Sequence, residues 1–477
     1  MKKLVVISLV FCLLLSFCGV FVHATTADTI QTAEKNEEVI QTEEASGIDS
    51  AVALLGGQKL IDNAKAVFLY ELSSDTLMYT QNPDDQMHPS SFVKILTALI
   101  AIEKGNLNDL VTATDDVLST VSYDAVSADL QDGEQMTLEH LIYCMMVGSA
   151  NDAAAVIANH ISGSQEAFVQ EMNDYAQNLG CTNTLLKNVH GLHHDEQYTT
   201  VRDMARILRA AMKNEIFSTV FSTVRFSVPA TNKSESRDLA TGNFLMNTDT
   251  LTIYFDERVT GGRTGVAVDG RRCLATSAEI NGLKLISIVM GSEDIVEEDG
   301  LTTDSYGGYK ETSLLLDKSA DGYKAVQVLF PNQAVNQCSV IDGENDVILG
   351  SNVAISAVLP TKVGLDDLTF RYINAGELRA PITAGDQISQ VEVWHGATCV
   401  AKGALYAMNS VRSVLETQPV EEINDNGAAA KSILTTIFLV AAGAVLIVIA
   451  VRFLPNLRRI HRKHRMKRYS RNRRRSH

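Results

Sequence analysis

Pro89-Ser90-Ser91-Phe92-Val93-Lys94-Ile95-Leu96-Thr97-Ala98-Leu99 is the stretch on which the reading of this chain turns. From Ser91 to Lys104 it has the pattern of a helix, with Pro89-Ser90 suited to its start and Gly105 at its end. The helix is apolar on nearly every side, which places it at the centre of a fold rather than on its surface. Lys94 lies within it, and a lysine in apolar company needs a chemical reason. Ser91 and Lys94 are three residues apart, so their side chains share one helix face. A serine hydroxyl becomes a working nucleophile when a nearby base takes its proton. Lysine serves as that base only if burial or a neighbouring cation destabilises its ammonium. The helix N-terminus adds positive potential that disfavours an ammonium and favours an oxyanion. Ser-x-x-Lys alone is a common pattern on solvated helices, so the pair carries weight only in company.

Outward from that helix, Ala66–Leu72 and Thr76–Thr80, separated by Ser73-Ser74-Asp75, predict a hairpin. Helical patterns dominate from Thr137 to about Phe217. Strands return at Thr250–Phe255, Cys273–Ser277 and Leu283–Met290, the last two joined through Asn281-Gly282, a strong hairpin-turn signal. Strands, a helical middle and further strands give an α+β domain: an antiparallel sheet with segregated helices. A helix is expected around Tyr309–Leu316. Beyond it, short β-like runs (Lys324–Phe330, Cys338–Ile341, Asp346–Leu349, Val353–Leu359, Thr369–Ile373, Gln390–Trp394 and Thr398–Leu405), punctuated by Gly, Asp and Asn, predict a small all-β domain. The expected layout is a signal peptide (1–24), an acidic leader (25–50), a catalytic domain (51–322), a β domain (323–414) and a linker (415–431). A membrane span (432–451) and a basic tail (452–477) complete it.

The ends set the compartment. Lys2 and Lys3 precede an apolar run from Leu4 to Val22, and Val22-His23-Ala24 offers small residues for cleavage, the layout of a secretory signal. Ser432–Val451 contains no charge, and at ~1.5 Å of rise per residue it crosses a hydrocarbon core of roughly 30 Å as a helix. The 12 lysines and arginines that follow, with no acid among them, mark the cytoplasmic side. The expected location is the bacterial cell membrane, with the folded part extracellular and the tail cytoplasmic. The formal charge of −16 hides this segregation. Without the tail cations, Lys2 and Lys3, 27 basic residues face 57 acidic ones, which disfavours a nucleic-acid partner. Cys144, Cys181, Cys273, Cys338 and Cys399 form neither a metal pattern nor a disulfide framework; a Cys338–Cys399 pair is conceivable, but free thiols are expected. No metal-ligand spacing occurs, and neither a metal nor a cofactor is expected.

Two further elements keep company with Ser91 and Lys94. Ser149-Ala150-Asn151 falls between the helical patterns Leu138–Met146 and Ala153–Ile161. An ordinary interhelical turn with a polar cap accounts for it, yet it also presents a hydroxyl and an amide together. Gly261-Gly262-Arg263-Thr264-Gly265-Val266 is expected to open a strand, where a cation and a hydroxyl suit a carboxylate and the glycines let a ligand approach the backbone. An ordinary turn between strands accounts for that segment too.

The three elements in this order resemble the penicillin-binding protein and serine β-lactamase superfamily, and within it the low-molecular-weight D-alanyl-D-alanine carboxypeptidases. Pro89 to Leu99 looks like that family's nucleophile helix, and Gly148-Ser149-Ala150-Asn151-Asp152-Ala153-Ala154 like its second motif. Asn188-Val189-His190-Gly191-Leu192 and Tyr198-Thr199-Thr200-Val201-Arg202-Asp203-Met204-Ala205 are similar to further family stretches that have no obvious chemical role. The resemblance covers roughly 60–320 and extends through Leu378-Arg379-Ala380-Pro381-Ile382 to Leu405. It implies the penicillin-binding transpeptidase fold, peptidoglycan stem peptides as substrates and β-lactams as covalent inhibitors. It also implies that Lys94 deprotonates Ser91, that the amides of Ser91 and Val266 form an oxyanion hole, and that Ser149 protonates the departing D-alanine. Asn151 would hold the substrate amide, and Arg263 and Thr264, followed by Gly265, would grip its carboxylate. One departure stands out: the family has lysine where this chain has Arg263, whose planar fork is not interchangeable with an ammonium. A catalytically silent wall-binding homologue and a β-lactamase are the alternatives. The second lacks the Glu-x-x-Leu-Asn loop that fast deacylation requires.

Overall fold

The computed structural model describes residues 48–49, 53–56, 58–249, 251–296, 303–304, 306–374 and 376–415. The expected signal, nearly all of the leader and linker, the 432–451 span and the basic tail lie outside the described residues. Among the described residues no helix is long and apolar enough to cross a membrane.

A five-stranded antiparallel sheet organises the first part of the chain. It comprises β1 (Ala66–Glu71), β2 (Thr76–Gln81), β7 (Val259–Val266), β8 (Arg272–Ile280) and β9 (Leu283–Ser292), in the order β2-β1-β9-β8-β7. Its strands are apolar on both faces because both faces are covered. Ala66, Phe68 and Tyr70 of β1 face one core, while Val67 and Leu69 face a second. On β9, Ile286, Ile288 and Met290 join the first core and Leu283, Leu285 and Val289 the second. The period-2 alternation of a strand thus sorts each sequence into two cores. The β8–β9 hairpin turns at Asn281 (φ 50°) and Gly282 (φ 78°), the paired left-handed conformations of a tight hairpin.

The first core is helical. At its centre lies α1 (Val93–Lys104), preceded by a 3₁₀ turn over Ser90–Phe92 and capped by Gly105. All ten residues from Val93 to Ile102 are buried, including Lys94. After the short α2 (Asp115–Leu118), α3 (Leu138–Met146), α4 (Asn151–Ser162) and α5 (Gln165–Asn178) pack in the same core with α6 (Val201–Met212) and α7 (Glu215–Phe221). The second core is closed by α8 (Gly307–Gly322), through Tyr309, Leu315 and Leu316.

Two features of this region depart from expectation. Thr250–Phe255 is not a strand: Thr252–Tyr254 forms a 3₁₀ turn after Leu251, whose φ of 36° is left-handed. Its alternating apolar residues have no sheet to join, so Leu251, Ile253 and Phe255 are exposed and Tyr254 alone is buried. The basic-Thr-Gly segment does not open its strand but occupies the second half of β7, which begins at Val259. Three small strand pairs went unforeseen among the described residues: β3 (Leu110–Thr112) with β4 (Gln135–Thr137), β5 (Arg225–Val228) with β6 (Arg237–Ala240), and β10 (Ile295–Val296) with β11 (Thr303–Asp304).

After α8 the chain is all-β, as the short punctuated runs predict. β12 (Tyr323–Leu329) pairs with β15 (Ile355–Pro360). β13 (Ala334–Cys338), β14 (Val347–Gly350), β16 (Leu368–Asn374), β17 (Gln387–His395) and β18 (Thr398–Ala407) form a sheet ordered β13-β14-β18-β17-β16. These strands belong to one compact unit with everything up to Cys338. Among the described residues, a second, smaller unit comprises Ser339–Asp346, Leu378–Ile382 and 410–415. It is held by bridges between Ile341 and Arg379, Gly343 and Ser413, and Ile382 and Val411. Cys144, Cys181, Cys273, Cys338 and Cys399 are free thiols.

Candidate active site

Ser91 lies in the 3₁₀ turn that leads into α1, half-buried, one turn before Lys94. The turn is held from three sides. Ser90 adopts φ 50°, a left-handed conformation that costs a non-glycine residue roughly 1–2 kcal/mol. Its hydroxyl donates to the Val266 carbonyl at 2.8 Å, tying the turn to β7. Gly191, at φ 86°, lies so close that a Cβ there would stand 1.8 Å from the Ser90 carbonyl oxygen. A Cβ at Gly265 would meet Ser90 Oγ at 2.9 Å and the Ser91 amide nitrogen at 3.2 Å. Glycine at 191 and 265 is therefore required by close approach, and β7, the sheet's edge strand, runs against the nucleophile's backbone.

Lys94 is fully buried. Its Nζ donates to Asn151 Oδ1 at 2.7 Å and to the His190 carbonyl at 2.6 Å, and stands 3.4 Å from Ser91 Oγ. Burial first, and then the Arg263 guanidinium, hold its pKa well below the ordinary lysine range, against an opposing pull from Asp152. The neighbouring His190 ring is pushed down to about 3 by burial and by Lys94, so it is neutral.

The Asn188–Leu192 stretch now has a physical reason. The Val189 carbonyl accepts from Thr97 Oγ1 at 2.7 Å, the next carbonyl holds Lys94, and Gly191 makes room for the nucleophile turn. Asn188 fastens the loop by accepting from the Gly191 amide at 2.7 Å and donating to the Leu192 carbonyl at 2.8 Å. The Tyr198–Ala205 stretch is structural: Thr200 caps α6, and the buried Asp203 accepts from Asn183, Thr184 and Arg206.

Ser149 and Asn151 flank the start of α4. Ser149 is held at φ 65°, a second strained serine beside the site. Asn151 faces inward: its Oδ1 accepts from Lys94, and its Nδ2 donates to the Val126 carbonyl at 2.8 Å. Asp152 fastens the same loop, accepting from Ser127 Oγ and from the amides of Ala128 and Leu130.

Arg263 is buried, 4% exposed, and its fork is engaged within the protein. Nη1 donates to the Met146 carbonyl at 2.6 Å and Nη2 to Ser149 Oγ at 2.8 Å. Burial lowers its pKa to about 10, which leaves it a cation at neutral pH. The resemblance implies a shared carboxylate grip by Arg263 and Thr264, but consecutive strand residues leave opposite faces of a sheet. Arg263, paired with Ala275, faces the helical core, whereas Thr264, paired with Leu274, faces the second. The structure thus brings Ser91, Lys94, Ser149, Asn151 and Arg263 into one cluster and sets the Thr264 side chain on the opposite face of β7. Backbone carbonyls of Val126, Met146 and His190 complete the cluster. Such acceptors carry no residue signature, and only the recurrence of the 188–192 stretch hinted at one of them.

The family described as D-alanyl-D-alanine carboxypeptidase matches residues 58–294. The family described as the C-terminal domain of penicillin-binding protein 5 matches 323–413. The D-alanyl-D-alanine carboxypeptidase DacF of Bacillus subtilis is 27% identical over 373 residues, 76% of this chain and 90% of that protein. A D-alanyl-D-alanine carboxypeptidase of Streptomyces sp. (strain K15) is 31% identical over 243 residues, 49% of this chain and 82% of that one. Among solved structures, penicillin-binding protein 5 of Haemophilus influenzae superposes with a TM-score of 0.64 at 26% identity, covering 75% of this chain and all of the other. On these matches the chain belongs to the D-alanyl-D-alanine carboxypeptidase family.

Proposed function

We propose that the chain hydrolyses the terminal D-Ala–D-Ala bond of peptidoglycan stem peptides through a Ser91 acyl-enzyme. The observation that carries the mechanism is the set of partners around Lys94 Nζ. A neutral amine has two N–H donors and one lone pair. Its two short contacts are to the Asn151 side-chain oxygen and the His190 carbonyl, which only accept. Both hydrogens are thereby assigned, and the lone pair is left for Ser91 Oγ at 3.4 Å. Such contacts are often long before substrate arrives.

Lys94 takes the Ser91 proton as Oγ adds to the carbonyl carbon of the penultimate D-alanine. The backbone amides of Ser91 and Val266 receive the oxyanion; losing one donor of this type costs about 10²–10³ in rate. Ser149 Oγ accepts from Arg263, so its own hydrogen passes to the leaving amine as the C–N bond breaks, and Ser149 is reprotonated with the proton held by Lys94, which becomes neutral again. Asn151 orients Lys94 and offers its remaining N–H to the substrate amide. Arg263 steadies Ser149 and keeps Lys94 neutral, and the edge of β7 lines the substrate strand. Water, deprotonated by Lys94, then hydrolyses the ester and regenerates Ser91. β-Lactams acylate the same hydroxyl.

We further propose that the enzyme is exported and anchored with its catalytic part outside the membrane. The Lys2–Ala24 signal pattern, the charge-free stretch 432–451 and its 12 following cations support this. The test combines a D-Ala–D-Ala peptide and a fluorescent penicillin on the purified ectodomain. D-Alanine release with stable labelling at Ser91 is expected. Rapid label turnover would favour a β-lactamase, and neither release nor labelling would favour the silent homologue.

A further inference from the structure

Ser90 is a serine where the backbone favours glycine. It is buried and holds φ 50°, a conformation that glycine adopts without steric cost. What its side chain gains there is a hydrogen bond from Oγ to the Val266 carbonyl at 2.8 Å. Among the described residues this is the one hydrogen bond between the 3₁₀ turn and β7. Packing alone does not fix that approach. A Cβ at Gly265 would stand 3.1 Å from Ser90 Cβ, so contact keeps the two segments apart while the hydroxyl draws them together.

Val266 ends β7 and pairs with Arg272. Beyond it the Ala267 amide donates to the Arg271 carbonyl at 2.8 Å. Antiparallel pairs alternate between those that exchange backbone hydrogen bonds and those that exchange none. Ala267 with Arg271 belongs to the bonded kind, so Val266 turns both its N–H and its C=O away from β8, toward the nucleophile turn. The carbonyl is held there by Ser90. The amide is one of the two donors assigned above to the oxyanion. The other is the amide of Ser91, next to Ser90 in the chain. One hydroxyl therefore links the residue beside the first donor to the residue that carries the second.

We propose that Ser90 is a positioning residue that sets the spacing of the two oxyanion donors. The assignment rests on the carboxypeptidase reading above and adds to it the group that builds the oxyanion site. Ser90 touches no reacting atom and acts by holding Val266 against Ser91. Negative charge gathers on the substrate oxygen only as Ser91 adds, so the spacing matters to the rate of acylation and not to binding of the peptide.

The test compares wild type, Ser90→Ala and Ser90→Gly on an N-acylated D-Ala–D-Ala peptide and on its analogue with sulfur in place of the scissile carbonyl oxygen. Release of D-alanine is read by mass spectrometry, with kcat and KM separated. A displaced donor costs part of what a deleted one does, so kcat on the oxygen substrate should fall roughly 10- to 30-fold in both variants with KM nearly unchanged. Sulfur is larger and a poorer acceptor, so donors spaced for oxygen discriminate against it. The kcat/KM ratio of oxygen over sulfur should therefore fall at least threefold. Should S90A fail to fold, S90G decides, since glycine takes φ 50° without strain. An unchanged ratio overturns the assignment, whether the rates are unaltered or fall equally on both substrates; the second result would mark Ser90 as a support for the turn alone. A loss confined to KM overturns it as well. If wild type releases no D-alanine from the oxygen peptide, the carboxypeptidase reading itself fails and this assignment falls with it, a failure distinct from an active wild type with an unchanged ratio.

Discussion

The two sides of β7 are built from opposite materials. On the helical side Lys94, Asn151, His190, Asp152 and Arg263 are buried, and Lys94 is oriented by Asn151 Oδ1 and the His190 carbonyl. On the other side Thr264, Arg272 and Tyr306 border an open cleft. The buried side prepares a base, which requires dehydration and fixed partners. On the open side Arg272 lies over the Tyr306 ring and remains half-buried. An edge strand can serve both because its side chains alternate between faces, while its free backbone edge meets the nucleophile. The burial that depresses the Lys94 pKa also removes Arg263 from solvent.

The sharpest way to break this division is at the nucleophile. Ser91→Ala should lower D-alanine release by roughly 10⁴-fold or more and abolish covalent penicillin labelling, measured by intact mass. Residual labelling would place the nucleophile elsewhere. Lys94→Met comes next, with an expected loss of about 10²–10⁴ in kcat, the range of a general base. Binding of the peptide should persist, since the short contacts of Lys94 are to Asn151 and the His190 carbonyl. A loss confined to KM would instead assign Lys94 to substrate binding.

The buried side was the more legible one in the sequence, for a physical reason. A lysine in an apolar helix is costly, and its cost is visible as a break in the pattern. Ser91, Lys94, Ser149, Asn151 and Arg263 all stood out and all meet in space. What stayed hidden was of two kinds. The carbonyls of His190, Met146 and Val126 act through the backbone, where any residue would serve. Gly191 is one glycine in a loop, and its close approach to the Ser90 carbonyl exists only once the chain is folded. The false strand at Thr250–Phe255 shows the converse: an alternating apolar run is a strand only if a neighbour pairs with it, and a left-handed Leu251 turns it away from the sheet edge.

Gly191 tests whether the buried side is as tightly specified as its contacts imply. Gly191→Ala must hold an alanine at φ 86° with its Cβ inside contact distance of the Ser90 carbonyl. Strain of this kind costs about 1–3 kcal/mol, and here it can be relieved only by moving the turn that carries Ser91. The expected result is a lower thermal midpoint with a fall in acylation rate of roughly 10- to 100-fold. Unchanged acylation would mean that the turn tolerates displacement.

The smallest expected effect, and the one most specific to this chain, is on pH dependence. The working form of Lys94 is the neutral amine, so the rate of Ser91 acylation rises as pH rises through the Lys94 pKa and then levels. Burial first and the Arg263 charge second place that limb below the ordinary lysine range. Replacing the charge with Arg263→Gln removes a repulsion felt only by the ammonium, which raises the Lys94 pKa and moves the limb to higher pH. At fixed neutral pH the variant is then slower, and the deficit closes as pH increases. Arg263→Lys keeps a cation at that position, restores the residue type usual in the family, and should leave the limb close to its original place. Acylation rates of the three proteins between pH 5 and 10 decide the matter. A limb that stays fixed in R263Q, or moves down, would mean that burial alone prepares Lys94 and that Arg263 acts only through Ser149.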